Sequence, residues 1–284
     1  MSAETLAAAP ATGFRLSPQQ RRLWLLAQGG CRLTAGCVLA LDGDLDAARL
    51  RRAVAAAAER HEVLRTTFPR TPGLRLPLQA VHASLPPLWS EADAGGAPNA
   101  DLEIERRFAA ELARPCDLAA GPPLRACLLR LAADRHALVL TLPSLTADGF
   151  SLLAVARELM ALYAGEGAAL PPAADLVQYV QFSEWQHELL EGEDGEAGRR
   201  YWSSCDAAAV GPLPLWCERV PASVAGAAAG RRLAQLPLGV DRELAAALAA
   251  AGDRCGAAAE ALWLAAWMAL LARVTGRGEV AVRV

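Results

Sequence analysis

The sequence predicts an α/β protein. Segments with helical periodicity alternate with short apolar runs of strand length, and those runs are apolar on both faces, as strands covered by helices on either side require. Hydrophobic residues make up 54% of the 284 residues and charged residues 21%. That is material for a sizeable core, with length enough for two domains.

Ser17-Pro18-Gln19-Gln20 carries an N-cap Ser, a Pro suited to the first helical position and a Gln able to close a capping box, so a short helix is expected to about Gln28. Cys37 to Leu41 reads as a strand stopped by Asp42-Gly43. Asp46 caps a second helix, with Leu45 and Leu50 at staple positions and Leu50, Val54 and Ala58 on one face. Leu64 to Phe68 and Leu74 to Val81 read as paired strands around Thr71-Pro72-Gly73. Asp101 to Ala113 is helical, burying Leu102, Phe108 and Leu112. Leu124 to Leu131 and His136 to Leu142 form an antiparallel pair around Ala133-Asp134-Arg135.

Helices follow over Asp148 to Tyr163, Asp175 to Leu190 and about Arg199 to Trp202. Gly211 to Gly230, rich in Pro, Gly and Ala, is the linker candidate. Beyond it the sequence predicts a strand (Arg231 to Leu238), a helix capped by Asp241, an apolar helix from about Ala257 to Thr275, and a strand from Glu279 to Val284. The expected organisation is a disordered N-terminus over 1–13, a compact lobe over 14–176, helices and linker over 177–230, and an incomplete second lobe over 231–284.

A formal net charge of −3 gives no basic field for nucleic acid. All 28 basic residues are Arg, which excludes a lysine nucleophile or Schiff base. The longest apolar run, Ala261 to Ala272, is too short to span a bilayer as a helix, and Met1 to Thr12 lacks the features of a secretory signal. The seven Cys are dispersed and contain no CxxC pair, so no metal site is expected and a reducing cytoplasm suits them.

Four segments together carry a family resemblance. Ser17-Pro18-Gln19-Gln20-Arg21-Arg22-Leu23-Trp24 resembles the opening motif of nonribosomal peptide synthetase condensation domains. Arg60-His61-Glu62-Val63-Leu64-Arg65-Thr66-Thr67-Phe68 matches their second motif, and Tyr179 to Trp185 is similar to the fourth, with Gln181 where an acid is usual. The loop with Asp117-Leu118 and Gly121 to Ala126 resembles the lead-in to the active-site strand. The resemblance implies a chloramphenicol acetyltransferase-like α/β sandwich, here a complete N-terminal lobe plus the start of a second, truncated one. It also implies partners: peptidyl or acyl carrier proteins, other synthetase domains, and in some relatives a tailoring oxygenase. Substrates arrive on the carriers' phosphopantetheine arms, with no cofactor bound directly.

The third motif departs from the family's His-His-x-x-x-Asp-Gly. Here the stretch reads Pro143-Ser144-Leu145-Thr146-Ala147-Asp148-Gly149, with Ser144 where the second His belongs. A hydroxyl has no useful basicity near neutral pH, whereas imidazole titrates there. Losing a positioned general base costs about 10²–10⁴-fold in rate. His136 opens the same strand, roughly 26 Å from Ser144 at about 3.3 Å per residue. His82 and His187 read as exposed surface.

Asp148 reads as structural, ion-paired with Arg65 as the resemblance implies. Ser144 and Thr146 read as residues that satisfy loop backbone groups. A heterocyclisation motif would use Asp148 and Ser151, but Pro143 stands where its first Asp belongs. Trp24, Trp185, Trp263 and Trp267 read as packing residues, and Arg21-Arg22 and Arg51-Arg52 as solvated helix faces. Two function classes compete. One is a catalytically impaired platform that docks carrier proteins or a tailoring enzyme; the other is an active condensation-type acyltransferase completed by a second lobe. Limited proteolysis is expected to cut between Gly211 and Gly230 and to spare 14–176; cleavage inside that lobe, with the linker intact, would contradict the organisation.

Overall fold

The computed structural model describes residues 13–28, 33–205, 211, 213, 215–216 and 238–282. The chain forms two compact units, divided between Gly192 and Glu193.

The first unit is built on a four-stranded sheet. Its strands are β2 (Thr34–Asp42), β5 (Leu88–Asp93), β6 (Arg125–Arg130) and β7 (Arg135–Pro143), in the order β2-β7-β6-β5. β7 is central, antiparallel to β2 from Thr34↔Pro143 to Asp42↔Arg135, and antiparallel to β6. Its side chains alternate between faces, as the pleat dictates. Leu138, Leu140 and Leu142 face one core, with α2 (Ala47–Arg60) and α4 (Gly149–Ala164) packed on it through Leu50, Val54, Ala58, Leu152, Val155 and Leu159. Ala137 and Val139 face the other core, closed by Ile104 and Phe108 of α3 (Ala100–Ala113). A Cβ at Gly36 of β2 would stand 2.8 Å from the Phe108 ring, so glycine lets α3 approach.

A small sheet, β1-β4-β3, joins β1 (Gly13–Phe14), β3 (Thr66–Thr67) and β4 (Gln79–Val81). Of the N-terminal stretch expected to be disordered, residues 1–12 lie outside the described residues, and Gly13 pairs with Ala80.

α1 (Pro18–Gln28) is capped as its sequence predicts. Ser17 Oγ accepts from the Gln20 N–H at 3.1 Å, and Gln20 Oε1 accepts from the Ser17 N–H at 2.9 Å. Trp24 on its inner face is 6% exposed, as expected of a packing residue. α2 is capped by Asp46, which accepts from the Arg49 N–H at 2.8 Å. α4 ends at Gly165, whose φ of +87° is the left-handed conformation a glycine C-cap supplies. At the C-terminus of α3, the buried Arg125 guanidinium donates to the Glu111, Arg114 and Pro115 carbonyls and to Thr141 Oγ1. Its charge thus sits at the negative end of the helix dipole.

Several expectations change. The 64–68 and 74–81 hairpin shrinks to Thr66↔Val81 and Thr67↔Ala80, because Glu62–Arg65 form a 3₁₀ turn. β5, parallel to β6, is not announced by its sequence, which carries Ser90, Glu91 and Asp93. Leu102 is exposed, and Glu111 takes the buried position on α3. The first unit runs past residue 176 to include α5 (Tyr179–Glu191), where Ser183 Oγ donates to the Arg15 carbonyl at 3.1 Å and Arg15 pairs with Glu184 at 3.0 Å.

The second unit contains α6 (Glu196–Ser204), α7 (Arg242–Cys255) and α8 (Ala259–Thr275). Asp241 caps α7 as expected, accepting from the Leu244 N–H at 2.7 Å. Trp263 and Trp267 are 41% and 52% exposed rather than core, and Leu271 is the buried residue of α8. Residues 279–282 carry no strand. Most of the linker candidate, all but Leu238 of the strand expected over Arg231 to Leu238, and residues 283–284 lie outside the described residues. Among the described residues no single helix is long and apolar enough to cross a membrane; α7 and α8 pass only as a pair, bent by 102°.

Leu140, fully buried in the main core, is expected to cost about 2–5 kcal/mol when replaced by Ala. Phe150, 87% exposed, is expected to cost no more than about 0.5 kcal/mol as Phe150→Ala. Urea unfolding midpoints of the two variants check the contrast.

Candidate active site

The stretch from Ser144 to Asp148 is a single turn between β7 and α4. Ser144 N–H donates to the Leu33 carbonyl at 2.9 Å, which anchors the turn beside the end of β2. Thr146 closes it, its N–H and Oγ1 both donating to the Pro143 carbonyl, at 2.9 and 2.8 Å. The Thr146 hydroxyl thus bonds the loop backbone, while Ser144 contributes its N–H. Asp148 then caps α4: its Oδ1 accepts from Ser151 N–H at 2.8 Å and Ser151 Oγ at 2.7 Å. Those bonds, the backbone one first, hold its carboxyl below the usual aspartate value. A Cβ on Gly149 would meet nothing within 4 Å, so space does not demand glycine there.

The expected Asp148–Arg65 ion pair is not formed. Arg65 donates to the His82 carbonyl and pairs with Glu62 at 3.6 Å, three residues back on its own turn. Asp148 is exposed and already satisfied by the first turn of α4. It remains structural, as a helix cap rather than as half of a buried pair.

The loop faces a cavity of about 790 Å³, within the range of small-molecule sites. Its walls bring three of the sequence motifs to the β7–α4 loop. α1 contributes Gln19, Gln20 and Leu23; the second motif contributes His61, Val63 and Leu64; α5 contributes Tyr179 and Phe182. α4 adds Ser151, Ala154, Val155, Arg157 and Glu158. Local bonds explain why these segments converge. Gln20, 1% exposed, donates to the Leu145 carbonyl at 3.1 Å and to Gln79 Oε1 at 2.9 Å. Tyr179 Oη and Ser17 Oγ are 2.8 Å apart. Gln178, at the head of α5, accepts from Glu62 N–H at 2.9 Å and donates to the Arg60 carbonyl at 3.1 Å. Gln181 accepts from Gln178 N–H at 2.8 Å. The lead-in loop is tied to the second motif where Phe68 N–H meets the Leu118 carbonyl at 2.6 Å.

The histidines are placed differently from the sequence reading. His61 lines the cavity and its Nε2 is bonded to Glu158 Oε2. Arg60 holds the other Glu158 oxygen at 3.1 Å and the Pro171 carbonyl at 2.8 Å. Burial alone would raise the Glu158 carboxyl, but the bonds and charges of His61 and Arg60 outweigh it, and the net direction is down. His82 is half-buried against Thr67 Oγ1 at 2.7 Å, and His187 against the Leu16 carbonyl at 2.8 Å, so neither is bare surface. His136 does stand at the far end of β7, opposite Leu41. Trp185 is exposed and stacks at 5.7 Å on Phe182 rather than packing inside. Among the described residues no three His, Cys, Asp or Glu are grouped to hold a metal ion.

The family model for condensation domains matches residues 11–284, and the chain belongs to that family. It is 34% identical over 279 residues to chondramide synthase cmdD of Chondromyces crocatus, covering 94% of this chain and 7% of that protein. It is 32% identical over 274 residues to tyrocidine synthase 3 of Brevibacillus parabrevis, covering 95% and 4%. Among solved structures it is similar to the first condensation domain of the calcium-dependent antibiotic synthetase in complex with a substrate analogue. The TM-score is 0.70 and the identity 25%, with 95% of this chain and 63% of that one covered. The chain thus spans under two thirds of the relatives it matches.

The lowered Glu158 carboxyl has a pH signature. A depressed folded-state value adds stability that is full above the unfolded value and is lost as pH falls through the folded one. Glu158→Gln is therefore expected to lower the urea midpoint at pH 7, with the gap to wild type closing below about pH 4, the ordinary Glu range. A gap that stays constant from pH 7 to pH 3 would contradict the assignment.

Proposed function

We propose that this chain is a condensation-type domain of nonribosomal peptide biosynthesis that binds carrier-delivered acyl groups while being impaired in transferring them. Its role is then a docking platform for carrier proteins or for a tailoring oxygenase acting on a carrier-bound substrate. One observation carries the reading. On the cavity wall, the position the family gives to a basic imidazole is held by Ser144, and the neighbouring Asp148 is committed to capping α4. The cavity, its motif walls and the turn geometry needed to receive an acyl group are kept; the group that would take the amine's proton is not.

The second reading, an active acyltransferase forming an amide between two carrier-bound substrates, draws on His61. That imidazole lines the same cavity, held by Glu158. Heterocyclisation is weaker, because Pro143 ends a strand and supplies no carboxylate.

Single-turnover transfer between two loaded carrier proteins, read by mass spectrometry of the carrier-bound product, separates the first two. The 284-residue chain is expected to retain the acyl carrier on a pull-down without forming product. In a fusion with the portion of a solved relative that this chain does not cover, Ser144→His is expected to raise transfer by about 10²–10⁴-fold. Clear turnover by the unmodified chain would overturn the platform reading.

A further inference from the structure

The two edges of the main sheet differ in their chemistry. At one edge, β5 carries Glu91 and Asp93, charges of the kind that blunt an edge against further pairing. At the other, β2 runs for nine residues with no Pro and no charge before Asp42. Both faces of β2 are covered, with Cys37 and Leu39 packed on one core and Val38 on the other. Most of the strand is nevertheless only half-buried, whereas its partners on β7 from Ala137 to Leu142 are buried, because its edge is open. The ladder fixes which groups that edge presents. The Leu33 carbonyl accepts from Ser144 N–H, and Gly43 N–H donates to the Asp134 carbonyl, at the two ends of one register. Odd-numbered residues of β2 therefore bond to β7, since bonding alternates along an antiparallel pair. The N–H and C=O groups of Thr34, Gly36, Val38, Ala40 and Asp42 point away from the sheet and have no partner among the described residues.

We infer that β2 is a dimerisation edge, pairing antiparallel with β2 of a second copy about a two-fold axis at Val38 and joining two four-stranded sheets into one. The strand is complementary to itself in this register, as a two-fold interface requires. Val38 meets Val38 of the second copy, Ala40 meets its Gly36, and Asp42 meets its Thr34, so each outward-bonding residue faces another and exchanges two hydrogen bonds with it. A slip of two residues either way leaves outward groups unpaired at the ends. The same register sets the one carboxylate of β2 opposite a hydroxyl, whereas parallel in-register pairing sets Asp42 against Asp42, which like-charge repulsion disfavours.

Sedimentation velocity of the full 284-residue chain over a range of concentrations tests this, with a monomer–dimer equilibrium as the expected result. Thr34→Asp sets a carboxylate opposite Asp42 at both ends of the pair and is expected to weaken the dimer about tenfold. Thr34→Arg offers a salt bridge at the same two places and is expected to tighten it by a similar factor, and both effects are expected to shrink at high salt. Ala40→Pro removes an outward N–H that β7 does not use, so it is expected to abolish the dimer while leaving the far-ultraviolet circular dichroism unchanged. The register has its own readout. Val38→Cys places two thiols at the axis, on Cα atoms about 5.5 Å apart, and is expected to add a disulfide-linked dimer to whatever the wild type forms under oxidation. Ala40→Cys faces a glycine and is expected to add none. A chain that stays monomeric, a dimer whose strength ignores the charge at position 34, or open-ended assembly into fibres would each overturn the inference. Should Ala40→Pro fail to fold, the opposed pair of Thr34 variants still decides.

Discussion

The buried side-chain amide of Gln20 is the constraint on which the cavity depends. An amide taken out of water must find partners for its oxygen and its nitrogen, or it costs stability. Here the oxygen accepts from Ser17 N–H, and the nitrogen donates to both Leu145 and Gln79. Gln79, fully buried, passes the chain on to the Arg15 carbonyl, and Ser183 of α5 donates to that same carbonyl. One polar thread thus ties α1, the β7–α4 loop, the small sheet and α5 together. A network of this kind rigidifies only when every member is satisfied.

What the sequence makes legible is what is decided locally. The Ser17–Gln20 box, the Asp46 and Asp241 caps, the apolar face of α2 and the β6–β7 pair all follow from spacings of a few residues. The location of the site was legible for a related reason, since each motif is a short contiguous segment. Its electrostatics were not. His61 and Glu158 lie 97 residues apart, and no pattern in either segment points to the other. The Asp148–Arg65 expectation failed where a local option outcompeted a distant one, because a carboxylate at the N-cap, immediately before a helix's first turn, is already beside its amide donors. β5 was hidden because its polar composition resembles a loop until β6 supplies the neighbouring ladder. Trp263 and Trp267 show the opposite error, as i, i+4 apolar spacing describes a helix face without saying what covers it.

The fold neutralises its inner charges in two ways. Arg125 has no carboxylate within its hydrogen-bonding set and is met instead by carbonyls at the end of α3 and by Thr141. Glu158 is met by the Arg60 guanidinium and the His61 imidazole at the end of α2. The first arrangement fixes the entry to β6 from the lead-in loop, and the second fixes α2 against α4 on the cavity side. Together they pin the two helices and the strand whose ends shape the site.

The turn from Pro143 to Asp148 is shaped by backbone bonds, by the Thr146 hydroxyl and by the Asp148 cap, while the side chain at position 144 has no part in that scaffold. The shape of the loop is therefore separable from its chemistry. Exchanging imidazole for hydroxyl at that one position leaves the turn's own supports untouched, so selection for folding has no hold on it.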